Sequence, residues 1–131
     1  MDKKNLLKIG MKKIVFLRGI RELTSLRAEV ASGIFTRAFG LMLRTSLKEN
    51  EGMLFVFDKE RFPKIWNMLT VIPLDVIFLL ADGTIVDILP LPNSLLPSKI
   101  IKPKASAKYV IEVNSGFCAK NGIAVGDKAL L

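Results

Sequence analysis

The sequence contains no histidine, no glutamine and a single cysteine, Cys118. Without histidine, the commonest general base and the commonest zinc ligand are both missing. One cysteine excludes an intrachain disulfide framework, and the scattered carboxylates beside it form no recognisable metal-ligand cluster. Cys–His activation of a thiol is closed to Cys118, so ordinary packing is its expected role. Glycine-rich phosphate loops of either standard spacing are absent. No metal and no cofactor are therefore expected. Aromatic residues make up only 8% of the chain, and the basic residues are not interleaved with them as a nucleic-acid stacking platform requires. No apolar run approaches the roughly 20 residues of a membrane-crossing helix. The lack of glutamine beside free use of lysine and glutamate leans toward a heat-adapted composition.

What is present is a core. Half of the 131 residues are hydrophobic, enough for one globular domain and too many for a disordered chain. The charge is lopsided. Residues 1–48 carry eleven lysines and arginines against three acids, while residues 49–131 carry nine of each, so the whole net charge of +8 sits in the first third. Such asymmetry can serve nucleic acid or an anionic surface, here through Lys3, Lys4, Lys8, Lys12 and Lys13, although a solubilising tail explains it more simply. Residues 1–10 are expected to be a flexible basic tail and residues 11–131 a single domain. Residues 14–17 are too short an apolar stretch for a signal peptide, and cytoplasmic location is expected.

Patterning predicts an α+β domain, mainly antiparallel, with a compact, partly barrel-like sheet and two short helices. Strands are read at 13–17 and 25–31, the latter from the alternation of Leu26, Ala28 and Val30 with Arg27 and Glu29. Ser32 is placed to cap a helix over 33–43. Residues 52–57 are apolar at nearly every position, so they are read as a strand covered on both faces. A turn over 58–64, holding Pro63, and a strand over 65–70 follow. The strongest strand signal is 74–80. Asp82-Gly83 reads as a two-residue type I′ turn that sets Phe78 opposite Asp87 and Leu79 opposite Val86. In that register Asp75 and Asp87 lie on different faces and cannot form an acid/base pair. Residues 90–105 hold four of the six prolines and are read as a flap or binding loop. A strand over 108–113, a helix over 116–121 capped by Ser115, and a turn at Gly126-Asp127 complete the chain.

Several of these segments together carry a family signature. They are Val30-Ala31 with Arg37, Gly40 to Leu47, Gly52 to Phe57, Trp66, Thr70-Val71-Ile72-Pro73-Leu74-Asp75, Lys108 to Val113, Gly122-Ile123 and Gly126-Asp127. From about residue 26 to the C-terminus, the chain resembles the family catalogued as domain of unknown function 192. The resemblance implies a compact, mostly β domain with two small helices and no established activity. Members usually carry Phe-Trp-Met-x-Asn-Thr before the Ile-Pro-Leu-Asp run. Here Asn67 stands at the methionine position and Leu69 at the asparagine position. The acid and cysteine of the family's long loop are also missing from residues 90–105.

Four residues are the ligand-binding candidates: Arg44, Trp66, Thr70 and Asp75. Arg44 follows the predicted first helix, and its guanidinium can clamp an anion or neutralise helix carbonyls. Asp75 sits among apolar residues and needs a partner. Arg44 is therefore expected within reach of Asp75, or of a polar pocket that includes Thr70 with Trp66 as its wall. A structural Arg44–Asp75 pair with Trp66 in the core accounts for the same residues. No catalytic residue is assigned. The first functional reading is a non-catalytic accessory domain that binds a small ligand or a protein segment. The others are a small enzyme of unrecognised type built around Arg44 and Asp75, and a weak nucleic-acid binder using the basic N-terminal third.

Overall fold

The computed structural model describes residues 10–31, 44–96 and 98–131. The helix expected over 33–43 and the tail lysines Lys3, Lys4 and Lys8 lie outside the described residues. In chain order the strands are β1 (Gly10–Arg18), β2 (Arg21–Ala31), β3 (Glu51–Arg61), β4 (Ile65–Trp66), β5 (Leu74–Leu79), β6 (Ile85–Leu91), β7 (Ile100–Ile101), β8 (Ala107–Asn114) and β9 (Lys128–Leu130). Helix α1 (Phe117–Asn121) lies between β8 and β9. It is one helix among the described residues, where two had been expected, and the class is β-rich.

Seven strands form one sheet in the order β6-β5-β8-β3-β2-β1-β9, and β4 pairs with β7 in a separate two-stranded ribbon. All pairings are antiparallel except β2 with β3. A parallel pair cannot be joined by a tight turn, and the long link over 32–50 meets that need. The sheet curls until its last strand returns to the opposite edge. Thr84 bridges to Lys128, the Ile85 N–H donates to the Asp127 carbonyl at 2.8 Å, and the Ala129 N–H donates to the Gly83 carbonyl at 2.9 Å. The result is a partly closed barrel.

Both faces of the sheet are buried. One face carries Ile14, Phe16, Leu26, Leu54, Ile77, Leu79, Ile111 and Val113, against which Phe117, Cys118 and Ile123 pack. The opposite face carries Met53, Phe55, Leu74, Val76, Phe78 and Val110, and includes the buried Ile101. The two-faced apolar reading of residues 52–57 follows from this arrangement, since β3 lies between β2 and β8 with a core on each side. β3 runs on to Arg61, so the turn begins later than expected. The strand expected over 65–70 shrinks to Ile65–Trp66, because Asn67 onward is diverted into turns.

The hairpin between β5 and β6 departs from its expected geometry. The Gly83 N–H donates to the Leu80 carbonyl and the Leu80 N–H to the Thr84 carbonyl, both at 2.9 Å, so the loop is Ala81-Asp82-Gly83. Gly83 has a φ of 90°, whereas Asp82 is not left-handed as a type I′ turn would require. Phe78 does face Asp87, but Leu79 faces Ile85 rather than Val86. The register shift sets Val86 and Asp87 together opposite Phe78, and Val86 packs with the second core.

Candidate functional site

The strand register brings polar groups onto one otherwise apolar face. Glu29 on β2 faces Met53 on β3, Met53 faces Glu112 on β8, and Glu112 faces Val76 on β5. Residues directly opposite one another share a face, so Glu29 and Glu112 point the same way from strands two apart, roughly 10 Å between backbones. Glu112 is only 6% exposed. Loss of hydration in the sheet pushes its pKa up to about 7. It can therefore donate a hydrogen bond as an acid or accept one as a carboxylate close to neutral pH.

Glu29 holds the other end of this row. Its two carboxylate oxygens accept from Nη1 and Nη2 of Arg44 at 3.2 and 2.8 Å, a two-pronged contact. The segment after Arg44 then crosses toward β8, where Asn114 Nδ2 donates to the Leu47 carbonyl at 2.7 Å. Asn114 stands two residues beyond Glu112 on the same strand face. Arg44, Leu47 and Asn114 thus lie on the side of the sheet to which Glu29 and Glu112 point.

The remaining cover comes from the β4–β7 ribbon. Ile65 and Ile101 form its inward pair and pack on the same core, while Trp66 and Ile100 form its outward pair. Asn67, fully buried, ties the ribbon to the proline-rich loop. Its Nδ2 donates to the Pro92 carbonyl at 2.8 Å and to Ser98 Oγ at 3.0 Å, and its Oδ1 accepts from the Ser98 and Lys99 amides. Thr70 is buried just beyond, with its carbonyl accepting from the Ser94 N–H at 2.7 Å. Between them Leu69 has a φ of 56°, the one left-handed non-glycine among the described residues. The stretch expected as a flap or loop over 90–105 thus holds the end of β6 and the whole of β7, and Asn67 and Thr70 fasten Pro92, Ser94, Ser98 and Lys99 between them.

Of the four residues singled out from the sequence, Arg44, Trp66 and Thr70 belong to segments that border this face. Trp66 is 48% exposed and is not a core residue. Asp75 is elsewhere. It points to the opposite face, where its Oδ2 accepts from the Gly116 and Cys118 amides at 3.2 and 3.1 Å. It is the cap of α1, a role expected of Ser115, because Gly116 at a φ of 90° turns these N–H groups toward β5. No ion pair joins Arg44 to Asp75, since each has its own nearer partner. Cys118 is buried with its pKa pushed up to about 12, by loss of hydration first and then by the Asp75 charge, so its thiol is inert. No group of three or more metal-ligating side chains occurs among the described residues.

Sequence reasoning missed Glu112 and Glu29 as site residues. Glu112 gave little signal: in 108–113 Tyr109, Ile111 and Val113 form one apolar set, but Lys108 shares the other set with Val110 and Glu112, which reads as an ordinary outward face. Glu29 gave no signal, because its alternation with Leu26, Ala28 and Val30 is that of an ordinary outward residue.

A family model described as DUF192, Uncharacterized ACR, matches residues 16–131. A UPF0127 protein of Pyrococcus abyssi is 36% identical over 104 residues, spanning 78% of this chain and 83% of that protein. Two solved structures are similar throughout. A Sinorhizobium meliloti protein, provisionally described as a transcription regulator, superposes with a TM-score of 0.84 at 30% identity, covering 93% of this chain and 94% of its own. A Novosphingobium aromaticivorans protein of unknown function gives 0.83 at 29% identity, covering 92% and 85%.

Proposed function

The chain belongs to the uncharacterised DUF192 family, and on that premise we propose that it is a non-catalytic binding domain holding a small ligand on the face that carries Glu29, Arg44 and Glu112. The observation that carries this reading is the place of Glu112, a residue 6% exposed between Met53 and Val76 on an otherwise apolar sheet face, where loss of hydration pushes its pKa up to about 7. A desolvated acid is costly to keep unless something meets it, and a ligand with a cationic or hydrogen-bond-donating group gains most there. The Arg44–Glu29 pair offers the ligand a polar edge, and the Asn67-fastened loop offers a wall. Thr70 belongs to that wall, whereas Trp66 stands on the outer side of the ribbon and Asp75 on the opposite face of the sheet, so both are dropped from the site. In this reading the chain works in the cytoplasm, as a lone buried cysteine allows.

The test is thermal-shift titration with arginine, ethylamine and acetamide, at pH 6 and pH 8. The expected result is a rise in melting temperature with at least one of these probes, lost in Glu112→Gln. No rise with any of them, together with native mass spectra showing no retained small molecule, overturns the reading.

Two other readings have an observation behind them. An acid that titrates near neutral pH suits proton transfer, so a small enzyme would use Glu112 rather than Asp75 as its general acid or base. A weak nucleic-acid binder is favoured by the Sinorhizobium meliloti relative's description and by the exposed Lys12 and Lys13 on β1. Lys12→Gln with Lys13→Gln should then weaken low-salt DNA binding, and equal binding by the natural protein and the variant removes that reading.

A further inference from the structure

The β4–β7 ribbon is apolar on both sides, and only one side is covered. Ile65 and Ile101 point into the second core, and their register neighbours Trp66 and Ile100 point away from it, 48% and 63% exposed. The neighbouring turns add Phe62, Leu95 and Leu96, at 52%, 66% and 75%. Five of the nine large hydrophobic residues noted as exposed across the described chain therefore lie on two short segments, 62–66 and 95–100. These segments are held together by the Asn67 contacts to Ser98 and Lys99 and by the Thr70–Ser94 bridge.

The charge around this patch has one sign. Lys64, Lys99, Lys102 and Lys104 are all exposed, and the ammonium of Lys102 lies 6.0 Å from the Phe62 ring centre. No acid occurs in 61–74 or in 88–106. The acids flanking these segments are engaged: Glu60 accepts from the Ala81 N–H at 3.2 Å, and Asp75 accepts from the Gly116 and Cys118 amides. Asp87 is 9% exposed and accepts from the Ile88 and Lys104 amides, and Asp58 pairs with Arg61.

We propose that this patch is a membrane-contact surface, on which Trp66, Ile100, Leu95, Leu96 and Phe62 enter the headgroup region of an anionic lipid bilayer while the four lysines meet its phosphates. The residue types fit that occupant. An indole prefers the boundary between water and hydrocarbon, and lysine stems let their charges reach headgroups while lying along apolar surface. Lysines near an anionic surface add affinity together, and no carboxylate in these two segments opposes them. The attachment is peripheral: no helix among the described residues is long and apolar enough to cross a bilayer. It is independent of the ligand site, because it uses the outward pair of the ribbon rather than the inward one.

Trp66 is the sole tryptophan, so its fluorescence reports this surface alone. Vesicles of phosphatidylcholine with a third phosphatidylglycerol should shift its emission to the blue, and brominated lipids should quench it. Pure phosphatidylcholine vesicles should do neither, and added salt should reverse the effect. Lys99→Gln with Lys102→Gln should lower vesicle partitioning by roughly fivefold per lysine removed. Leu95→Ser with Leu96→Ser, both at exposed positions that leave the fold intact, should abolish the blue shift. An emission unchanged by anionic vesicles overturns the proposal. So does a shift produced by soluble polyglutamate and not by vesicles, which would make the occupant an acidic polypeptide.

Discussion

Glu112 keeps its proton to about pH 7, whereas an exposed glutamate releases it near 4.5. Between those values the folded chain binds more protons than the unfolded one. Stability should therefore fall as pH rises through that window and level off above it, by about 3 kcal/mol in all. Glu112→Gln carries no such proton, so its urea midpoint should be level between pH 5 and pH 8, and above that of the natural protein at pH 8. A natural protein whose midpoint does not move between these pH values contradicts the burial argument. Leu69 is a second single-residue case. A leucine at a φ of 56° is strained by its Cβ, and asparagine, the residue usual at this position in the family, tolerates that backbone. Leu69→Asn should raise stability by about 1 kcal/mol, read from the denaturation midpoint. The departures at 67 and 69 were visible in the sequence. The role of Asn67 was not, because its partners Pro92, Ser98 and Lys99 lie 25 to 32 residues away.

Among the elements, those legible in the sequence are the ones whose pattern is local. Alternation in 25–31, continuous apolarity in 52–57, the 74–80 run interrupted only by Asp75, and the 108–113 run each place a strand where the chain has one. Elements set by distant partners were not legible. The start of α1 depends on Asp75, forty-one residues before Gly116. The β5–β6 turn depends on β9, which lies over it: a Cβ on Gly83 would fall 2.2 Å from the Ala129 carbonyl oxygen. Gly83 is buried for that reason, although Ala81 and Asp82 beside it are exposed. Gly83→Val meets both a φ of 90° and this backbone contact, so it should cost about 3 kcal/mol, from left-handed strain and forced repacking together. A melting temperature equal to that of the natural protein would show that β9 does not cover the turn.

The molecule as a whole is closed where its first and last strands meet the β5–β6 hairpin, and Asp127 holds that junction. Its carboxylate accepts from Arg18 Nε and Nη2 at 2.8 and 2.9 Å and from the Ala124 N–H at 2.8 Å, while its carbonyl accepts from the Ile85 N–H. The Arg18 contact holds the Asp127 carboxyl below the usual carboxylate range. A carboxyl depressed in this way stabilises the fold fully above its unfolded value and loses that contribution as pH falls through its folded one. Asp127→Asn should thus lower stability by about 2 kcal/mol at neutral pH, and the gap to the natural protein should close as the solution becomes acid. Glu112 acts in the opposite sense over a higher range. With one group weakening the fold below about pH 4 and the other weakening it toward pH 7, stability should peak near pH 5. Asp127→Asn should flatten the acid side of that peak and Glu112→Gln the neutral side. Denaturation midpoints measured from pH 2 to pH 9 on the natural protein and both variants separate the two limbs. A natural protein whose stability rises steadily from pH 5 to pH 8 would refute the opposing roles assigned to these carboxyls.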